Sequence, residues 1–128
     1  MTSISSIAIP KIDGLSMAIE TDGHLVIRGM IATREPNQSI GVFFQALHSS
    51  ILTSHLSAYS VDVSELTFVN SSAIRLFIDW AMWINQVPAP DRYRLTFVTS
   101  RHITWQTTNF SALRSLVGNV VYIEPKDG

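Results

Sequence analysis

Two serines stand where a strand-like pattern gives way to a helix-like one, and they are the residues best placed for chemistry. In Val69-Asn70-Ser71-Ser72-Ala73, short oxygen-bearing side chains sit at a helix start, where they can satisfy free backbone N–H groups. The positive end of a helix also favours an anion, bound or covalently added. Ser71 and Ser72 therefore have two readings: plain caps worth ~1 kcal/mol, or acceptors of a charged group. Other reactive groups are sparse. The histidines are His24, His48, His55 and His102. His48 and His55 share a helix face but lie two turns apart, ~10 Å along the axis, too far to hold one metal without a third ligand. No His-Glu-x-x-His spacing, Gly-x-Ser-x-Gly elbow or phosphate-cradling glycine loop occurs. All four histidines read as surface residues. Asp62, Glu65 and Asp79 are the carboxylates nearest in sequence, and none offers Ser71 a clear base. The residues give no reason to expect a metal, a cofactor or a catalytic constellation.

The elements that must position these serines follow from periodicity. Tyr59, Val61 and Val63 alternate with Ser60 and Asp62 as a half-buried strand does. A short connection through Ser64, Glu65 and Leu66 leads to Asn70. Ala73, Ile74, Phe77, Trp80, Ala81 and Ile84 then recur at helical spacing, with Ser72, Arg75, Asp79 and Gln86 on another face. Upstream, Ile4, Ile7 and Ile9 form a loose arm or an extra edge strand. Leu15 to Ile31 is a β-hairpin turning at Asp22-Gly23. Asn37 or Ser39 is placed to cap a helix burying Ile40, Phe43, Phe44, Leu47, Ile51 and Leu52. Asn37 to Ser60 contains no charged side chain, so that helix has a neutral outer face, either a contact surface or a Ser/Thr-rich solvated one. Downstream, Val87 to Asp91 is a Pro-rich turn, and Tyr93 to Thr99 is a strand. A third helix begins at Thr99, Ser100 or His102 and ends before Gly118, which has the position of a C-cap. Val120 to Ile123 is a last strand that Pro125 stops. Trp80 reads as core and Trp83 as the edge of an apolar stripe. Trp105 reads either as core with its N–H turned outward or as an exposed partner contact.

Composition narrows the function classes. The chain has 128 residues, 46% hydrophobic and 15% charged, with a formal net charge of -1. That is one domain with a real core, residues 1–128, made of an arm over 1–14 and a core over 15–123. No basic field invites nucleic acid or an anionic membrane. With no Cys, disulfides, thiolate chemistry and thiol-ligated zinc are excluded. Met1 to Pro10 lacks the basic start of a signal peptide, and no apolar stretch reaches the ~20 residues of a membrane span. The simplest location is the cytoplasm.

The run Asp62-Val63-Ser64-Glu65-Leu66-Thr67-Phe68-Val69-Asn70-Ser71-Ser72-Ala73 resembles the signature of STAS domains, the anti-sigma-factor antagonist fold. That signature is an apolar strand, Asp, apolar, Ser, spacers, then Asp-Ser-Ser/Thr-Gly opening a helix. Ile27-Arg28-Gly29-Met30-Ile31 is similar to the family's second strand. Two positions depart from the pattern: Asn70 stands for the family's Asp and Ala73 for its Gly. The order β-β-α-β-α-β-α-β matches over roughly Leu15 to Ile123, without the further helix that ends many members. The resemblance implies a single α/β domain with a mixed, mostly parallel sheet and an antiparallel N-terminal hairpin strand. It also implies a non-enzymatic bacterial regulator of transcription that switches partners without a cofactor of its own. Its partners would be a serine kinase that doubles as an anti-sigma factor, and a serine phosphatase. Phosphorylation would fall on Ser71, with Ser72 as runner-up. Asp62, Asn70, Ser72, Ala73, Arg75 and Trp105 would shape the partner surface. A non-phosphorylated scaffold or transporter-associated module is the alternative, and a homodimer is compatible with either.

Overall fold

The computed structural model describes residues 4, 7–21 and 23–126. Asp22 of the expected turn, and Ser5 and Ser6 of the arm, lie outside these. Five strands, β1 (Leu15–Thr21), β2 (His24–Ile31), β3 (Ala58–Val69), β4 (Arg94–Ser100) and β5 (Val121–Lys126), form one sheet in sequential order. The first pair is antiparallel and the others are parallel. Three helices, α1 (Ile40–Thr53), α2 (Ser71–Asn85) and α3 (Thr104–Leu116), make the crossovers. Because the strand order never reverses, right-handed crossovers place all three helices on one face. The packing shows it: Phe44 of α1 meets Phe77 of α2 at 5.3 Å between ring centroids, and Phe77 meets Phe110 of α3 at 5.5 Å. Phe97 of β4 lies beneath, 4.6 Å from Phe110. Leu25, Ile27, Val61, Val63, Leu95 and Phe97 are fully buried on this side. Trp80 is also fully buried, as the stripe predicts.

The other sheet face carries Arg28, Ser60, Asp62, Ser64 and Thr96, the alternate residues of each strand. Edge strand β5 carries Pro125 within it instead of being stopped by it. Proline is tolerated there because no neighbour needs its N–H. Gly29 has φ +98, and a Cβ there would overlap the Gly14 carbonyl. Met30 N–H donates to that same carbonyl at 2.9 Å, so residue 29 must be glycine for the chain before β1 to lie against β2.

Several boundaries differ from the sequence reading. The expected connection from Ser64 to Asn70 is strand, since β3 runs on to Val69. Helix α1 begins at Ile40 with no side-chain cap, after a 3₁₀ turn over Pro36–Gln38. Helix α3 begins later than expected, at Thr104. Gly118 is not left-handed, as a helix-ending glycine usually is; a Cβ on it would stand 3.0 Å from the Arg114 carbonyl, which is the tighter constraint. His48 is not a surface residue. It is half-buried, and its Nδ1 lies 2.8 Å from the Tyr93 hydroxyl, which accepts from Trp80 Nε1 at 2.7 Å.

Candidate functional site

The site is built where β3 ends. Strand β3 carries two extra residues relative to β2. Val26 pairs with Asp62 and Arg28 with Glu65, so Val63 and Ser64 oppose Ile27 alone. Asp62 shapes that bulge: its Oδ1 accepts from Ser64 N–H at 2.9 Å and from the Ser64 hydroxyl at 2.6 Å. This is the side-chain-to-backbone bonding by which Asp forms local turns, here set inside a strand. Partial burial pushes the Asp62 carboxyl up, but the Ser64 hydrogen bonds and nearby Lys126 outweigh it and hold the group below its ordinary range. Lys126 Nζ stands 3.5 Å from Oδ2. On the order of 20 Å of strand separates Asp62 from the start of α2, so it acts on Ser71 only by setting the course of β3.

The second bulge lies between Gly29–Leu66 and Met30–Phe68 and adds Thr67. Pairing of β3 with β4 has already ended at Asp62–Val98, so the carbonyls beyond need other donors. Gln106, fully buried at the start of α3, supplies them. Its Nε2 donates to Val63 O at 2.6 Å and to Leu66 O at 2.8 Å, while its Oε1 accepts from Ser100 N–H at 2.7 Å. Trp105 Nε1 donates to Thr67 O at 2.9 Å. Trp105 is thus half-buried against the core with its N–H committed, intermediate between the two readings of the sequence. The sequence analysis gave Gln106 no role. The available signal was its place on the buried face of α3, one turn before Phe110, with Leu113 and Val117 following at helical spacing.

Asn70 joins strand to helix. Its backbone N–H donates to Ile31 O at 2.9 Å, its Nδ2 donates to Thr33 O at 2.9 Å, and its Oδ1 caps α2 by accepting from Ala73 N–H at 2.9 Å. A carboxylate could cap equally well but could not donate to Thr33, which gives a physical reason for the amide. Ala73 is fully buried, so its methyl fills core space where the family pattern has glycine. With Asn70 as the cap, Ser71 and Ser72 are not caps. Both are exposed, and neither hydroxyl bonds to protein among the described residues. Arg75 is exposed one turn after Ser71, on the same helix face, with no ion pair among the described residues. Beside the helix start lies an open recess bordered by Thr33, Arg34, Glu35, Gln38 and Ser39. The cross-strand partners Met30 and Phe68 are each 47% exposed nearby.

Ser71 and Ser72 thus form an accessible hydroxyl pair at a helix start, with no imidazole or carboxylate bonded to either among the described residues. Among the described residues no grouping of His, Asp or Glu could hold a metal, and no helix is long and apolar enough to cross a membrane. No protein-family model matches the chain, and no curated protein matches it in sequence. The solved structure of an anti-sigma factor antagonist from Mycobacterium paratuberculosis is similar to it, with a TM-score of 0.53 and 14% identity over 89% of this chain and 90% of that one. The architecture expected from the sequence signature is therefore the one observed: the chain shares the fold of an anti-sigma factor antagonist.

Proposed function

We propose that the protein is a non-enzymatic, partner-switching regulator in which Ser71 is the phosphoacceptor. The observation that carries this reading is the exposed Ser71 hydroxyl, released from capping by Asn70, on a fold shared with an anti-sigma factor antagonist. In this reading the unmodified chain binds an anti-sigma-type serine kinase and frees that kinase's other client. ATP and magnesium belong to the kinase. A phosphoryl group on Ser71 adds close to two negative charges. The fold tolerates them, because the helix end and Arg75 both favour an anion there. The partner does not, because an unmatched dianion buried in an interface loses its hydration. A phosphatase restores the first state.

Intact-mass measurement after incubation with the kinase and magnesium-ATP, paired with calorimetric titration of wild type, Ser71→Ala and Ser71→Asp, tests this. One added phosphate on wild type, none on Ser71→Ala, and weaker kinase binding by Ser71→Asp are expected. Equal affinities with no added phosphate would leave the second reading, a non-switching scaffold or transporter-associated module. That reading has its own support in Asn70, whose amide is committed to Thr33 and Ala73 and offers a kinase no carboxylate beside the acceptor.

A further inference from the structure

The two edges of the sheet differ in how they meet another strand. Edge strand β5 carries Pro125 and Lys126, residues that discourage a further chain from pairing there. Edge strand β1 has neither proline nor a basic residue, and its stretch Leu15 to Ile19 holds no charged side chain. Among the described residues β1 pairs in the sheet with β2 alone. Its backbone polarity is fixed by Gly14, whose carbonyl accepts from Met30 N–H of β2. Alternation along an antiparallel strand then turns the N–H and C=O groups of Ser16 and Ala18 toward β2, and those of Met17 and Ile19 outward. Leu15 N–H obeys the same rule: it points away from β2 and donates to Ile12 O at 3.1 Å in the preceding turn. The side chains alternate too. Leu15, Met17 and Ile19 sit opposite Gly29, Ile27 and Leu25 and are half-buried on the helix side. Ser16 and Ala18 lie on the other face. A bulge at Glu20 ends the regular stretch.

The outward groups at the middle of β1 match a second copy of themselves. An antiparallel strand related by a two-fold axis through Ala18 sets Met17 against Ile19 of the second copy, and Ile19 against its Met17. Each of these pairs can exchange both N–H···O bonds. Ala18 then meets Ala18 at the closely spaced position without hydrogen bonds, where a methyl leaves room for the two backbones. The apolar side chains of both copies fall in one row on the helix side, as cross-strand pairs do. Glu20 of the second copy arrives near Ser16, which borders one recess with Lys11 and Asp13, so it meets one charge of each sign. We propose that the chain forms a reversible homodimer by pairing of β1 with β1, centred on Ala18, in one sheet that runs through both copies. A single strand edge covers less than the about 1,600 Å2 of a standard stable interface, so a dissociation constant on the order of 0.1 mM is expected. Ser71 follows β3, with β2 between β3 and this edge, so the dimer stands apart from the proposed switch.

Sedimentation velocity of the full chain from about 10 μM to 1 mM, with amide hydrogen exchange at both ends of that range, tests it. A monomer–dimer equilibrium is expected. The Met17 and Ile19 amides gain protection only at the high concentration, whereas those of Ser16 and Ala18, bonded to β2, are protected at both. Ala18→Lys and Ala18→Glu each weaken self-association at least about tenfold, because like charges then meet directly across the axis. Their charges reach water from the helix-free face. Mixing the two variants restores a dimer, which loss of folding could not do. Ser71→Asp dimerises like wild type. A monomer at 1 mM, or an equilibrium indifferent to Ala18→Lys, would overturn the proposal. So would a mixture of the two variants that stays monomeric, or association that protects Met30 and Phe68 instead of β1. Protection of Met17 and Ile19 that does not depend on concentration would overturn it as well, since the chain itself would then cover the edge.

Discussion

Asn70 uses every hydrogen-bonding group it has, and this makes residue 70 a sharp test of how the candidate site is held. Asn70→Asp keeps the cap on Ala73 but sets a carboxylate oxygen against the Thr33 carbonyl. A half-buried carbonyl loses its donor, which costs ~1–3 kcal/mol, partly offset by ~0.3–1 kcal/mol from a charge at the helix start. Asn70→Asp is expected to lower stability in urea titrations by about 1 kcal/mol, most of which returns below pH 4 as the carboxyl protonates. Gln106 carries more. Gln106→Leu has similar bulk but strands the carbonyls of Val63 and Leu66 and the N–H of Ser100. The expected loss is on the order of 3 kcal/mol or more, read as a lower denaturation midpoint. A loss below about 1 kcal/mol would mean that water replaces the amide and that β3 does not depend on it.

Among the elements, α1 ends on a strained residue. His55 has φ +58, with its N–H donating to Leu52 O at 3.1 Å and the Leu56 N–H to Ile51 O at 3.3 Å. That is the helix-ending geometry usually given to glycine. His55 is exposed and its side chain gains little in return. His55→Gly should raise stability by about 0.5–1 kcal/mol, the relief of left-handed strain less the extra freedom of the unfolded chain. His55→Ala should give no such gain, and equal effects of the two would show that the side chain, not the backbone, sets the energy. The neutral outer face of α1 is present as expected, and Val42 on it is 56% exposed. Helix α2 presents its first turn to solvent, as a switch at Ser71 requires.

The whole molecule is held by one-sided packing, and its pH response follows from which groups that packing covers. Burial pushes the His48 imidazole below its ordinary range. Trp80 can only donate to the Tyr93 hydroxyl, which leaves that hydroxyl's own proton available to His48 Nδ1 when the imidazole is neutral. Below about pH 6.5 the unfolded chain takes up a proton on His48 that the folded chain does not. Stability therefore falls as the pH drops from there toward the folded value, then levels for this group. Asp62 is also held low in the folded state, so its contribution is intact above about pH 4 and is lost as the pH falls through its folded value. Urea midpoints measured from pH 8 to 3 should show two separate declines, and His48→Gln should remove the first. The exposed Arg28–Glu65 pair, at 2.8 Å, adds little on general grounds.

The sequence by itself determined the element order, the apolar stripes and the place of Ser71, because alternation, helical spacing and turn residues are local and physical. Val61, Phe77 and Trp80 are buried where periodicity puts them. Tertiary structure decided what depends on partners distant in the chain. The passage from Ser64 to Val69 looks like a loop because its polar residues break the alternation, yet it is strand because β2 pairs with it and α3 satisfies its free carbonyls. Gln106 and His48 look like surface residues because their partners, Val63, Leu66 and Tyr93, are about 40 residues away. Which residue caps α2 was open among three polar candidates. The Thr33 carbonyl settled it, since only the Asn70 amide can donate to that carbonyl and accept from Ala73 at once, leaving both serine hydroxyls to solvent.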